Sequence, residues 1–274
     1  MNHGIIPYIG GKHRIARQLV EICAATGAET FVDVFGGSAA VTLAAVEKFK
    51  KVIYNDVDGD LVNLFRVISD DSQRLKLFRI IRDLPCSRRI FEEDGIKYVN
   101  GGFSFSNCQD PIERARRTLY RHLFAFGGKT RSGGFCVSLN DKFGIKEVHR
   151  YRNTLRKLAI VARNFQRTMI ENKHFQDIII RYGGRRNVVL FCDPPYEGTE
   201  AYYSRSFNLG DHEFLALALG SCEAKVVCTY YSTGLIKSLY PADLWQWQTI
   251  QSTRNSQFIF GNKANTDECI ITKK

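Results

Sequence analysis

Several things are scarce in this chain, and each scarcity narrows the field. No apolar run in its 274 residues approaches the length needed to span a bilayer, which argues against a membrane helix. Lys12, Arg14 and Arg17 are not followed by an apolar core of signal-peptide length, so a soluble, cytoplasmic protein is expected. The eight cysteines include no C-x-x-C pair or regular framework, and the six histidines show no ligand spacing, so neither a disulfide scaffold nor a metal site is expected. Cys192 and Cys228 lie inside apolar, strand-like runs, where a small soft side chain packs well. Acidic residues are also short: 28 against 39 Lys and Arg, for a formal charge of +11. That surplus predicts attraction to a polyanion without saying which one.

What is present is an ordinary globular composition, 44% hydrophobic and 24% charged, long enough for a full core. Thr30 to Val34 reads as a buried strand. Gly36 and Gly37 turn the chain, Ser38 is placed to cap an Ala/Val/Leu-rich helix, and Lys51 to Asn55 reads as a second strand. Strand, glycine loop, helix and strand in that order imply a parallel βαβ unit in an α/β fold. The same character returns after Arg150, with strands at Thr168 to Ile170, Asn187 to Cys192 and Lys225 to Thr229, and an apolar helix capped by Asp211. Trp247 to Ile250 and Glu268 to Thr272 read as closing antiparallel strands. Between these parts lie glycine-rich turns and a dense basic helix. The expected division is a catalytic domain of residues 1–66 and 150–274 around an inserted, mainly helical domain of residues 67–149 that carries a β-hairpin loop.

Asp193-Pro194-Pro195-Tyr196, directly after the apolar run Val188 to Cys192, is the most informative stretch. The prolines fix their own φ and restrict the residue before each, so Asp193 and Tyr196 are held in a set relation. A carboxylate that accepts hydrogen bonds beside an aromatic stacking face suits a planar base bearing an amino group. Ligands of open parallel sheets collect at strand carboxyl ends, and Phe35-Gly36-Gly37-Ser38, Asp56 and Asp193 all occupy such ends. Asp56 follows the glycine loop at the separation where an acid commonly binds ribose hydroxyls, which suggests an adenosyl-bearing ligand. Tyr8-Ile9-Gly10-Gly11-Lys12 adds a flexible turn with a ring and a cation suited to a carboxylate.

Taken together, Tyr8 to Lys12, Asp33-Val34-Phe35-Gly36-Gly37, Asp56 and Asp193-Pro194-Pro195-Tyr196 resemble the Dam-type adenine-N6 DNA methyltransferases, in the motif order called the alpha class. The resemblance extends to Tyr54-Asn55-Asp56, Leu119 to Arg131, Tyr203 to Phe207 and Thr266-Asp267-Glu268. It implies a Rossmann-like fold using S-adenosylmethionine, with S-adenosylhomocysteine as product. Tyr8 and Lys12 would contact that cofactor, Lys12 near its carboxylate; Asp56 would hold the ribose; Asp33, Phe35 and Gly36 would shape the pocket. A flipped adenine would stack on Tyr196 and give its amino hydrogens to Asp193 and the Pro194 carbonyl. Double-stranded DNA is the implied partner, and a cognate restriction nuclease would be its companion in a restriction-modification role.

Arg131 and Phe126 are the candidates for reading or wedging bases, with Lys129 beside them, and Arg114, Arg116, Arg117 and Arg121 for phosphate contacts. The chain departs from the family pattern at Pro7, Gly127, Lys129 and the third small position of the glycine loop, Ala39. Cytosine-N4 methylation, RNA methylation and a noncatalytic DNA binder that retains the cofactor pocket are the competing readings.

Overall fold

The computed structural model describes residues 4–94, 105, 107–126, 134–139, 142, 144–198, 207–250 and 268–274. A seven-stranded sheet in the order β3-β2-β1-β4-β5-β7-β6 organises them. Strands β1 (Thr30–Asp33), β2 (Lys51–Asn55), β3 (Thr168–Glu171), β4 (Val188–Cys192) and β5 (Lys225–Tyr231) run parallel. β7 (Glu268–Lys273) is inserted antiparallel between β5 and β6 (Trp245–Thr249). The central strands are near-continuous apolar runs because both faces are covered. Neighbouring residues alternate between two cores. Phe31, Val189, Phe191 and Val227 join α1 (Ala16–Ala25) and α2 (Ala40–Ala45) on one face. Val32, Leu190, Cys192 and Cys228 join α8 (Phe175–Tyr182) and α9 (Leu209–Ser221) on the other.

A third cluster gathers the remaining long helices. α3 (Gly59–Ser69) and α7 (Lys146–Phe165) share it with α4 (Asp71–Asp83), α5 (Arg88–Glu93) and α6 (Pro111–Phe124), around Tyr54, Phe65, Leu119, Tyr120 and Phe165. The expected domain limits at 66/67 and 149/150 fall inside α3 and α7, so the helices between them pack into a core continuous with the sheet. Antiparallel hydrogen bonds Phe126 N–H to Gly134 C=O and Cys136 N–H to Phe124 C=O, around an Ala125–Phe135 bridge, form the base of the expected hairpin. Its tip, 127–133, lies outside the described residues.

Because β1 connects onward to β2 on one side while its other neighbour is β4, the order reverses between β1 and β4. That opens a crevice at the carboxyl ends of these strands. The glycine loop lies in it. A Cβ on Gly36 would sit 2.2 Å from a Tyr54 ring carbon, so only glycine lets the loop reach the Asn55 carbonyl, to which the Gly36 N–H donates at 2.7 Å.

Two capping expectations are corrected. Ser38 does not cap α2. Its hydroxyl lies 3.5 Å from His13 Nε2, and Ala39 is the N-cap, in the left-handed region at φ 60°, ψ 22°. For α9, Asn208 is the cap and Asp211 is the reciprocal partner of a capping box, because the helix begins three residues earlier than a cap at Asp211 would place it. Asp58 does cap α3, accepting from the Asp60 N–H. At Ala39, relief of left-handed strain, about 1–2 kcal/mol, is offset by loss of a buried methyl, about 0.8 kcal/mol. Ala39→Gly should therefore shift the free energy of urea unfolding by less than about 1 kcal/mol, whereas a β-branched Val there should cost more than about 2 kcal/mol.

Candidate active site

Each expected cofactor residue, Tyr8, Lys12, Asp33, Phe35, Gly36, Asp56 and Asp193, lines one cavity of about 270 Å³ at the switch point. Asp33 ends β1 and is 1% exposed. Its Oδ2 accepts from the Thr42 hydroxyl at 2.5 Å, while its Oδ1 is buried without a hydrogen-bond partner among the described residues. Asp56, just beyond β2, accepts the Gly37 N–H on Oδ2 and the Asp58 N–H on Oδ1, both at 2.7 Å. Its carboxylate thus braces the glycine loop as well as lining the cavity. Burial pushes the Asp33 carboxyl up to about 7 against the pull of the Thr42 hydrogen bond. Burial, with Asp58 adding to it, pushes Asp56 up to about 7 also.

Aromatic rings form another wall. Phe35 stacks on Phe175 at 5.5 Å between centroids and meets the edge of Phe207 at 5.9 Å. Lys173, His174 and Phe175 line the cavity and escaped the sequence reading, although they follow β3 at its carboxyl end, where the same rule would have found them. Tyr8 lies between the loop and the helices: its ring would be 2.8 Å from a Cβ on Gly37, and its centroid is 5.7 Å from that of His122 on α6.

At Asp193 the hydrogen bonding is lopsided. Oδ1 takes the Thr229 hydroxyl at 2.5 Å, the Lys12 ammonium at 2.8 Å and the Tyr196 hydroxyl at 3.1 Å. The described residues give Oδ2 no hydrogen bond. Burial raises the Asp193 carboxyl above the usual aspartate range, and Lys12 opposes that rise. Lys12, 6% exposed, is engaged with Asp193, Glu268 (3.3 Å) and the Gly10 carbonyl (2.8 Å), because no other cation reaches these two carboxylates among the described ion pairs. Tyr196 is not an exposed ring: it is 6% exposed, its hydroxyl lies 2.9 Å from Glu268 Oε1, and Tyr231 meets it edge-on at 4.7 Å. Pro194 is buried and Pro195 lines the cavity, holding this loop against the sheet.

A carboxylate with one oxygen fixed and one open, on a loop beside a cavity rich in acids and aromatic rings, is equipped to accept hydrogens from an amine. Comparison with known proteins identifies the class. The sequence model of the D12 class N6 adenine-specific DNA methyltransferases matches residues 8–255. The chain belongs to this family. It is similar to the Retron Ec67 DNA adenine methylase of Escherichia coli, 25% identical over 86% of this chain and 80% of that protein. It is also similar to the DNA adenine methylase of Salmonella typhi, 24% identical over 98% of this chain and 94% of that one. The Type II methyltransferase M.CviBI of Paramecium bursaria Chlorella virus NC1A is 23% identical over 86% of this chain and 85% of its own.

In this adenine-specific DNA methyltransferase the arginines of α6 expected to contact phosphates make contacts within the protein. Arg116 is 5% exposed and forks onto Asp94 at 2.6 and 2.7 Å while also binding Glu113. Arg114 binds Asp60 at 2.6 Å, Arg117 binds Glu113 at 2.8 Å, and Arg121 is stacked 4.1 Å from the centroid of Phe91. The physical reason is that α6 is packed among α3, α4, α5 and α7, and three of its arginines neutralise acids of that bundle. Phe126, just past α6, is 61% exposed. Lys129, Arg131, Gly127, Tyr203, Thr266 and Asp267 lie outside the described residues.

The raised acids make a stability prediction with a definite sign. Unfolded aspartates titrate at about 4, so between that pH and about 7 the folded methyltransferase holds protons that the unfolded chain has lost. Stability therefore falls as pH rises through that window and is level above it. Asp33→Asn, which keeps an acceptor for Thr42, should flatten part of the fall and raise the thermal midpoint at pH 8. A lower midpoint at pH 8 with an unchanged slope would count against the buried-charge account.

Proposed function

We propose that the methyl donor is S-adenosylmethionine, held in the cavity between the glycine loop and Phe175, and that Asp193 receives the amino group of the target adenine. One observation carries the donor assignment: Asp33 Oδ1, a buried acceptor with no donor among the described residues, suits the ammonium of an amino-acid moiety. The donor set fits the rest of the cofactor. Asp56 retains lone pairs for a ribose hydroxyl, and Phe35 with Phe175 offers apolar faces to a flat ring. When bound, the cofactor supplies an electrophilic methyl group on a sulfonium.

The chain's own residues supply position and charge. Asp193 Oδ2 and the Pro194 carbonyl accept the two amino hydrogens, which turns the amine lone pair out of ring conjugation and toward the methyl carbon. The Tyr196 hydroxyl steadies Asp193. Exposed Phe126, with Lys129 and Arg131 on the following stretch, reads the duplex. DNA adenine methylases and a Type II methyltransferase are among the similar proteins, and a cognate restriction nuclease as companion belongs to the same proposal. Among the described residues no helix is long and apolar enough to cross a membrane, and we place the reaction in the cytoplasm of a bacterial or virus-infected cell.

The test uses purified protein, labelled S-adenosylmethionine and either unmethylated duplex DNA or RNA, with the modified nucleosides identified by mass spectrometry. N6-methyladenine in duplex DNA is expected. N4-methylcytosine would overturn the base assignment, and product only in RNA would overturn the partner. Asp33→Asn should weaken cofactor binding at least about tenfold by calorimetry, equivalent to about 1.4 kcal/mol; unchanged affinity would remove Asp33 from the ammonium site.

A further inference from the structure

Glu268 has no part in the cofactor cavity, yet it reaches the catalytic loop. It is the first residue of β7, and because β7 runs antiparallel to β5 with Glu268 opposite Tyr231, the start of β7 lies at the carboxyl end of the parallel strands. There its Oε1 meets the Tyr196 hydroxyl at 2.9 Å and the Lys12 ammonium at 3.3 Å. Lys12 is thereby shared between two carboxylates, and the single proton of the Tyr196 hydroxyl is shared between the same pair, closer to Glu268. Among the described residues, two acids share one ammonium here, which leaves these three groups with a net negative charge.

We propose that Glu268 is a positioning residue for methyl transfer: by sharing Lys12 and holding the Tyr196 hydroxyl, it keeps Asp193 oriented and incompletely neutralised, with Oδ2 toward the amine. The inference rests on the reading of Asp193 as the amine's acceptor. In the reaction the N6 lone pair forms the new N–C bond, the C–S bond breaks, and its electron pair stays on sulfur. Positive charge passes from sulfur to N6, and the excess proton then leaves along the hydrogen bond to Asp193 Oδ2 and on to water. Negative charge fixed beside N6 stabilises that arriving charge in the transition state. Were Lys12 paired with Asp193 alone, the two would cancel and the stabilisation would shrink.

Other charged or titratable groups face Asp193 too: Lys12 from the N-terminal loop, Tyr196 from its own loop, Asp33 from β1 and Tyr230 from β5. Glu268 and Lys12 act on it in opposite directions, Glu268 raising its carboxyl and Lys12 lowering it. This gives a readout independent of turnover. In cofactor-free protein, Glu268→Gln should move the Asp193 carboxyl titration, followed by carbon-13 NMR, to lower pH.

In the full chain the same variant should lose at least about tenfold in kcat. Its cofactor Kd should stay within about threefold and its unfolding should remain cooperative, with Glu268→Asp recovering part of the rate. A kcat within about twofold of the parent, or an unmoved Asp193 titration, would overturn the proposal. So would parallel loss of turnover, cofactor affinity and cooperative unfolding, which marks a merely structural residue. Asp193→Asn in the same assay separates the two readings. Turnover by that variant would remove the acceptor role itself, whereas an inactive Asp193→Asn beside a fully active Glu268→Gln would remove only the role of Glu268.

Discussion

The ion pair between Lys12 and Asp193, 2.8 Å long and largely removed from water, is the contact on which the rest of the site depends. It ties the N-terminal glycine turn to the loop after β4 and so closes the cavity from one side. Leaving a carboxylate in such surroundings without a cation is costly, and removing one partner of a buried pair generally costs more than the pair contributes. Lys12 meets that requirement on one oxygen only. Thr229 and Tyr196 crowd onto the same oxygen, and the carboxylate is left with a fixed plane and an open edge.

The three acids at the ends of β1, β2 and β4 follow from the same logic of unequal compensation. Asp33 is half satisfied, Asp56 is held by backbone N–H groups, and Asp193 is held by a cation and two hydroxyls. Burial raises all three carboxyls. Such an arrangement burdens the folded state at neutral pH, and it would suit the proposed reaction, in which the donor is cationic and positive charge moves toward the base. Stability is given up where the chemistry needs negative charge.

The sheet and the residues that line the cavity were legible in the sequence because they depend on local patterns. Buried parallel strands read as apolar runs, glycine loops follow them, and acids at their ends fall where the fold collects ligands. Asp193-Pro194-Pro195-Tyr196 was legible because proline dictates backbone direction without reference to distant residues. Contacts far apart in sequence were not. Glu268 lies 72 residues beyond Tyr196, and nothing local announces that β7 is inserted beside β5. The partners of the α6 arginines were not legible either, because Asp60 and Asp94, which with Glu113 hold three of them, lie far from them in sequence. The αL conformation of Ala39 was hidden for a similar reason: packing against the third core stabilises a backbone that alanine does not favour.

The central claim is that Asp193 accepts the amine's hydrogens during transfer, and the most direct measurement is the single-turnover methyl-transfer rate of Asp193→Ala with cofactor affinity determined on the same preparation. The account predicts a loss of at least about 10³-fold in rate, with affinity for the cofactor and for duplex DNA held within a few-fold. A rate within about tenfold of the parent, from a folded variant that binds both, would contradict it.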